Sequence, residues 1–227
     1  MRGHRRLSIK DFTRVAENLR TLHRDIRRCR VCIEQPLRVA LPHEPRPVAV
    51  LSPTARIAVC GQAPGIRVHK SGVPFTDPSG DRLREWMGVS SEVFYDAARI
   101  AIVPMGFCFP GYDKNGGDLP PRRECRQTWH DRVFAAMPQL ELKLVIGGAA
   151  FSYHLGKEAA KSVTNTVVDW ERYFNGEHLS DGETEQSACR VIPLPHPSWR
   201  NNASLKKNPW FEKDLLPVLR KTIQAMV

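Results

Sequence analysis

The sequence predicts an α/β fold, a three-layer sandwich in which a central four-stranded, mainly parallel sheet is flanked by helices. Two observations predict it. Four short apolar runs, residues 55–60, 99–103, 142–146 and 190–194, alternate with stretches of helical periodicity. That alternation implies a parallel sheet covered on both faces. Two of the runs lead directly into restricted turns, Gly61-Gln62-Ala63-Pro64-Gly65 and Pro195-His196-Pro197-Ser198. Open α/β sheets bind ligands beyond the carboxyl ends of their strands, so two such turns at one edge define a site.

In chain order, residues 1–28 read as an amphipathic helix, with Leu7, Phe12, Val15, Leu19, Leu22 and Ile26 at helical spacing. Its other face carries Arg14, Arg20, Arg24, Arg27 and Arg28, which suits a solvated surface and a phosphate-facing one equally. Cys29-Arg30-Val31-Cys32 follows, and Pro36, Pro42, Pro45, Pro47 and Pro53 mark an extended connector. Residues 1–54 are thus an N-terminal helix, a C-x2-C pair and a connector. They precede an α/β core over residues 55–227, and the whole is expected to form one domain. After the first strand, the loop from Gly61 ends in a helix around Leu83, Trp86 and Met87. Ser90 is a helix N-cap. The second strand leaves through Pro104-Met105-Gly106-Phe107-Cys108-Phe109-Pro110 and a polar, flexible stretch from Lys114 to Asp118. Pro120-Pro121 opens a helix to about Met137. The third strand ends in Gly147-Gly148, a helix spans Ala149 to Leu155, and a less regular segment passes Trp170 and Tyr173. Gly182 to Ser187 reads as a surface loop, and Pro209 to Met226 as the closing helix.

A chain of 227 residues with 34 Lys plus Arg against 24 Asp plus Glu carries a net charge of +10. That balance favours a polyanionic partner. No apolar run approaches the ~20 residues of a membrane span. The Arg-rich N-terminus lacks the apolar core of a secretory signal, so a cytoplasmic, monomeric protein is expected. In that compartment six cysteines are ligands or free thiols rather than disulfides. Four of them, Cys29, Cys32, Cys108 and Cys125, supply the ligand set of an iron–sulphur cluster or of a structural zinc. On the residues alone, Cys108 and Cys125 could equally be buried thiols. Cys60 and Cys189 fall in strand patterns and read as core.

GQAPG followed by GVPF, with HPS closing the last strand, resembles the two signature motifs of the uracil-DNA glycosylase superfamily. The likeness runs from about Cys29 to the last helix and is nearest to bacterial branches with an iron–sulphur cluster. The resemblance implies that Cys29, Cys32, Cys108 and Cys125 hold a structural 4Fe-4S cluster, stapling the N-terminal helix to the loop after strand two. It implies a monofunctional hydrolase that flips uracil out of DNA and cleaves its N-glycosidic bond, leaving an abasic site. In that scheme Phe75 stacks on the base, and Gln62 presents its backbone N–H to a base carbonyl beside Ala63. Pro104 and Met105 face the base, and His196 donates to a base oxygen. Pro64, Gly65, Ser198, Arg200 and Asn201 contact the DNA strand.

The chain also departs from the family pattern. Carboxylates that other branches carry at the positions of Gln62 and Ala63 are missing, so Asp77 is the expected water-orienting group, with a water held by Gln62 without any base as the alternative, and Asp81 a helix N-terminal charge. Pro104 replaces a base-reading Asn, which implies excision of other deaminated bases besides uracil. The loop Phe109 to Glu124 contains no histidine that could be trapped on the sugar. Two alternatives remain: an iron–sulphur protein that binds damaged DNA without cutting it, and a nucleoside hydrolase.

Overall fold

Strand β1 (Ile57–Cys60) runs through the middle of the sheet, and all four of its residues are fully buried. It pairs on one side with β2 (Ile100–Ile102) and on the other with β3 (Leu142–Ile146), which in turn pairs with β4 (Arg190–Leu194). The order is β2-β1-β3-β4 and every pairing is parallel. The structure is a computed structural model and describes residues 9–177 and 189–227, with side chains from Glu17 onward. Leu7, the side chains of Phe12 and Val15, and the Gly182–Ser187 loop lie outside that description.

The chain moves outward from β1 to β2, then crosses back over β1 to reach β3. Right-handed crossovers therefore place those two connections on opposite faces of the sheet, giving three layers. The first connection carries α3 (Ile66–Ser71), α4 (Pro78–Met87) and α5 (Ser91–Tyr95), and the second carries α6 (Arg123–Ala135). On the first face α4 packs against the closing helix α11 (Leu216–Gln224), with Trp86 edge-on to Phe211 at 4.9 Å. On the other face α6 receives α1 (Ile9–Arg27) and α2 (Val31–Glu34), while α7 (Gly148–His154) packs on β3 and α9 (Trp170–Phe174) on β4. Leu19, Leu22 and Ile26 of α1 are buried, and its Arg20, Arg24, Arg27 and Arg28 are exposed. Among the described residues no helix is long and apolar enough to cross a membrane.

Several boundaries differ from expectation for local reasons. Arg56 directly precedes β1, and its guanidinium forks onto Glu141 at 2.6 and 2.8 Å, clamping the starts of β1 and β3. The proline-rich connector is not free of strand pairing: Val50 and Ile102 exchange two 2.8 Å backbone bonds and cover the outer edge of β2. The helix expected from Pro120 starts only at Arg123. The closing helix begins as a π turn over Phe211–Leu215, since Pro217 lacks the N–H that would close an α turn on Lys213. Ser90 caps α5 through Val93 N–H, as its sequence context requires.

Candidate active site

The strand order reverses between β1 and β3, and the crevice beyond their carboxyl ends is where an open sheet places its ligand. A cleft of about 670 Å³ lies there, lined among others by Gln62, Phe75, Asp77, Pro104, Asp118 and His196. Its floor is the turn after β1. Gly61 and Gln62 carbonyls accept from Met105 and Gly106 N–H at 2.9 and 2.8 Å, so the exits of β1 and β2 are zipped together. Among the described residues no backbone carbonyl accepts from the N–H of Gln62 or Ala63, and both residues line the cleft with Pro64 and Gly65. The Gln62 side chain lies across Gly147, where a Cβ would stand 3.1 Å from Nε2.

Phe75 forms a wall. Among the described residues it is the non-glycine with positive φ, at 55°. A left-handed backbone at a bulky residue costs about 1–3 kcal/mol and persists only where neighbours fix it. Two side chains do so here. Tyr95 Oη donates to the Pro74 and Phe75 carbonyls at 3.1 and 3.0 Å, and Arg84 Nη1 reaches the Phe75 carbonyl at 3.3 Å. The guanidinium of Arg84 lies over the rings of Phe94 and Tyr95 and pairs with Asp81, a first-turn charge of α4. The Phe75 ring meets Phe94 edge-on at 5.8 Å, and its tip is 3.6 Å from where a Cβ on Gly61 would stand.

His196 lines the same cleft. Burial lowers its pKa below the usual histidine value, with Arg200 acting in the same sense and Asp77 and Asp118 against it. The imidazole is therefore neutral at pH 7. Asp77 is the N-cap of α4: its Oδ1 accepts from Ser79 Oγ at 2.6 Å and from Gly80 N–H at 3.2 Å. The loop bearing His196 is pinned at two carbonyls. Asn201 Nδ2 donates to His196 O at 2.6 Å, and Arg82 Nη1 donates to Ser198 O at 3.1 Å and to Asn202 Oδ1 at 2.6 Å.

Two sequence-predicted residues stand elsewhere. Met105 does not face the cleft; it is 2% exposed, because its side chain is drawn into the core while its N–H closes the bond to Gly61. Asn201 has its amide Nδ2 committed to the His196 carbonyl, and the residue lines a neighbouring hollow of about 450 Å³. Pro104 lines the cleft, and its carbonyl accepts from His130 Nε2 at 3.0 Å. Ser198 and Arg200 are at the rim beside Trp199, which is 73% exposed.

Asp118 was not foreseen in the site. The stretch Lys114–Asp118 reads as flexible because of Gly116 and Gly117, yet it forms a defined hairpin. Tyr112 bridges Asp118, Asp113 N–H donates to Gly117 O at 2.7 Å, and Asp113 Oδ1 accepts from Asn115 and Gly117 N–H. The Asx-turn potential of Asp113 was the available signal.

Cys29, Cys32, Cys108 and Cys125 line one cavity of about 330 Å³ between α2, α6 and the exit of β2. Two of the sulphurs receive an N–H donor. Trp129 Nε1 reaches Cys29 at 3.2 Å and Phe107 N–H reaches Cys125 at 3.3 Å. Arg122 lines the same cavity. Arg122 is held in turn by Glu124, 6% exposed, which also accepts from Leu37 N–H. Burial pushes the Cys108 thiol up to about 12 and that of Cys32 up to about 11. Among the described residues no three Cys, His, Asp or Glu side chains form a group that could hold a metal ion. Cys60 is fully buried in β1; Cys189 precedes β4 and is partly exposed.

A comparison with protein families agrees with the geometry. The model of the Uracil DNA glycosylase superfamily matches residues 48–220, from the strand-edge connector to the closing helix, and the chain belongs to that superfamily.

Proposed function

We propose that the protein is a monofunctional DNA glycosylase. It draws uracil, and other deaminated bases, out of DNA into the cleft and hydrolyses the N-glycosidic bond, leaving an abasic site. The observation that carries this reading is that the Phe75 ring and the His196 imidazole line the same cleft, above the Gln62–Ala63 turn.

An extruded base is stacked against Phe75, whose strained backbone is fixed before any ligand arrives. As the bond to the sugar breaks, the base gains negative charge. Donors aimed where that charge develops lower the barrier without reorganising. The backbone N–H groups of Gln62 and Ala63 and the neutral imidazole of His196 are those donors. Asp77, fixed by its capping bonds, keeps Oδ2 for a water beside the sugar. Pro104 offers no side-chain hydrogen bond to the base edge, so selectivity among bases is broad. Ser198 and Arg200 contact the phosphates at the rim.

Cys29, Cys32, Cys108 and Cys125 would hold a 4Fe-4S cluster, and the N–H donors on Cys29 and Cys125 fit anionic ligands. Such a cluster would supply a crosslink between α2, α6 and the β2 exit.

The test is incubation with oligonucleotides carrying uracil, hypoxanthine or xanthine, followed by alkaline cleavage. Strand breaks at uracil and at least one other lesion are expected. Strict uracil excision would refute the broad pocket. Tight lesion binding without breaks would replace the enzyme by a non-cutting damage-binding protein.

A further inference from the structure

Resting on the glycosylase reading, we propose that Asp118 is a second carboxylate of the reaction, the group that takes the proton of the attacking water. The turn that floors the cleft contributes no carboxylate of its own, since Gln62 and Ala63 occupy its inner positions. Asp118 leans over that turn from the opposite wall. Its Oδ2 lies 3.4 Å from where a Cβ on Gly65 would stand, which places the carboxylate in contact distance of the turn. The hairpin bonds described above hold it there.

Asp77 and Asp118 are in different states. Asp77 has one oxygen committed to Ser79 Oγ and Gly80 N–H at the N-terminus of α4. The Asp118 carboxylate accepts no hydrogen bond from a described residue. The charged and titratable groups that face it are Arg200 and His196 from the β4 exit and Asp77 from the N-terminus of α4. Burial raises its pKa, and Asp77 adds to the rise against Arg200 and His196. A base that is unpartnered and lifted toward the working pH is better matched to proton abstraction.

The step balances as follows. A water oxygen bonds to C1′ of the sugar while the C1′–N bond breaks, and its electron pair leaves with the base. One water proton passes to Asp118, and His196 hydrogen-bonds the departing base oxygen. Asp118 then returns its proton to solvent, and the base anion takes one up.

Single-turnover base release by wild type, Asp118→Asn and Asp77→Asn, on an oligonucleotide that wild type processes, tests this. Asp118→Asn is expected to slow release about 100-fold or more. It should lose the acid limb of the pH–rate profile and bind DNA as well as, or better than, wild type, because a negative charge is removed. An Asp118→Asn enzyme within threefold of wild type, or one retaining the acid limb, overturns the assignment while leaving the glycosylase reading intact. If wild type releases no base from any lesion, the glycosylase reading itself fails. Asp118→Glu, which keeps the acid, should recover part of the rate and guards against a folding artefact.

Discussion

The carbonyl of Phe75 occupies the space that a side chain on Gly80 would need: a Cβ there would stand 1.9 Å from the oxygen. Gly80 is therefore what lets the first turn of α4 close under the aromatic wall, while its own N–H bonds the Asp77 cap. Gly80→Ala must push Phe75 out of its left-handed conformation. Overpacking of this kind costs about 1–3 kcal/mol. A lowered urea midpoint with weakened lesion binding is expected; an unchanged midpoint and affinity would remove Gly80 from the account.

Asn201→Ala should act on chemistry rather than on DNA affinity, because its amide holds the His196 carbonyl. Loss of one such bond, about 0.5–1.5 kcal/mol, predicts a rate reduced up to about tenfold with the salt dependence of binding intact. Arg200→Ala should do the reverse, weakening binding and lowering the salt slope by about 1. Salt titrations of both variants check the pair; a reduced slope in Asn201→Ala would return that residue to the DNA surface.

Burial lowers the pKa of His196, and lowers that of His154 well below the ordinary value. Between the unfolded histidine value of about 6.5 and these lower folded values, the unfolded chain binds more protons. Stability then rises with pH and is lost as pH falls through that window. Urea midpoints at pH 7 and pH 5 should decline toward acid, and His196→Gln should flatten part of the slope. Equal midpoints at the two values would contradict the burial of these rings.

Protein purified without oxygen should carry iron and show sulphur-to-iron charge-transfer absorption. Cys108→Ser should lose both and unfold at lower denaturant, since metal binding free energy would be folding free energy. Iron-free wild-type protein of equal stability would mean that the four thiols are packing residues.

Strands β3 and β4 were legible to the residue, because Leu142–Ile146 and Arg190–Leu194 are short, mainly apolar runs closed by turn residues. The cleft was legible because glycine and proline constrain the backbone enough to announce where a ligand is approached. Side-chain direction was not. Met105 and Asn201 sit at motif-like spacing, and only the zipped strand exits and the His196 carbonyl decide that one turns to the core and the other to a neighbour. Asp118 was hidden for a related reason: Gly116 and Gly117 signal flexibility until the Asp113 side chain closes the turn. The left-handed Phe75 depends on Tyr95, Arg84 and Gly80 acting together, a convergence that no local window contains.

The most direct measurement is single-turnover release of uracil from an oligonucleotide by wild type and His196→Ala, with DNA affinity measured separately. Removing one donor to a developing anion costs roughly 100- to 1000-fold. Wild type is predicted to release the base, and His196→Ala to slow release about 100-fold or more while binding within a fewfold of wild type. Equal release by the two proteins would contradict a cleft in which Phe75 holds the base and His196 takes up its departing charge.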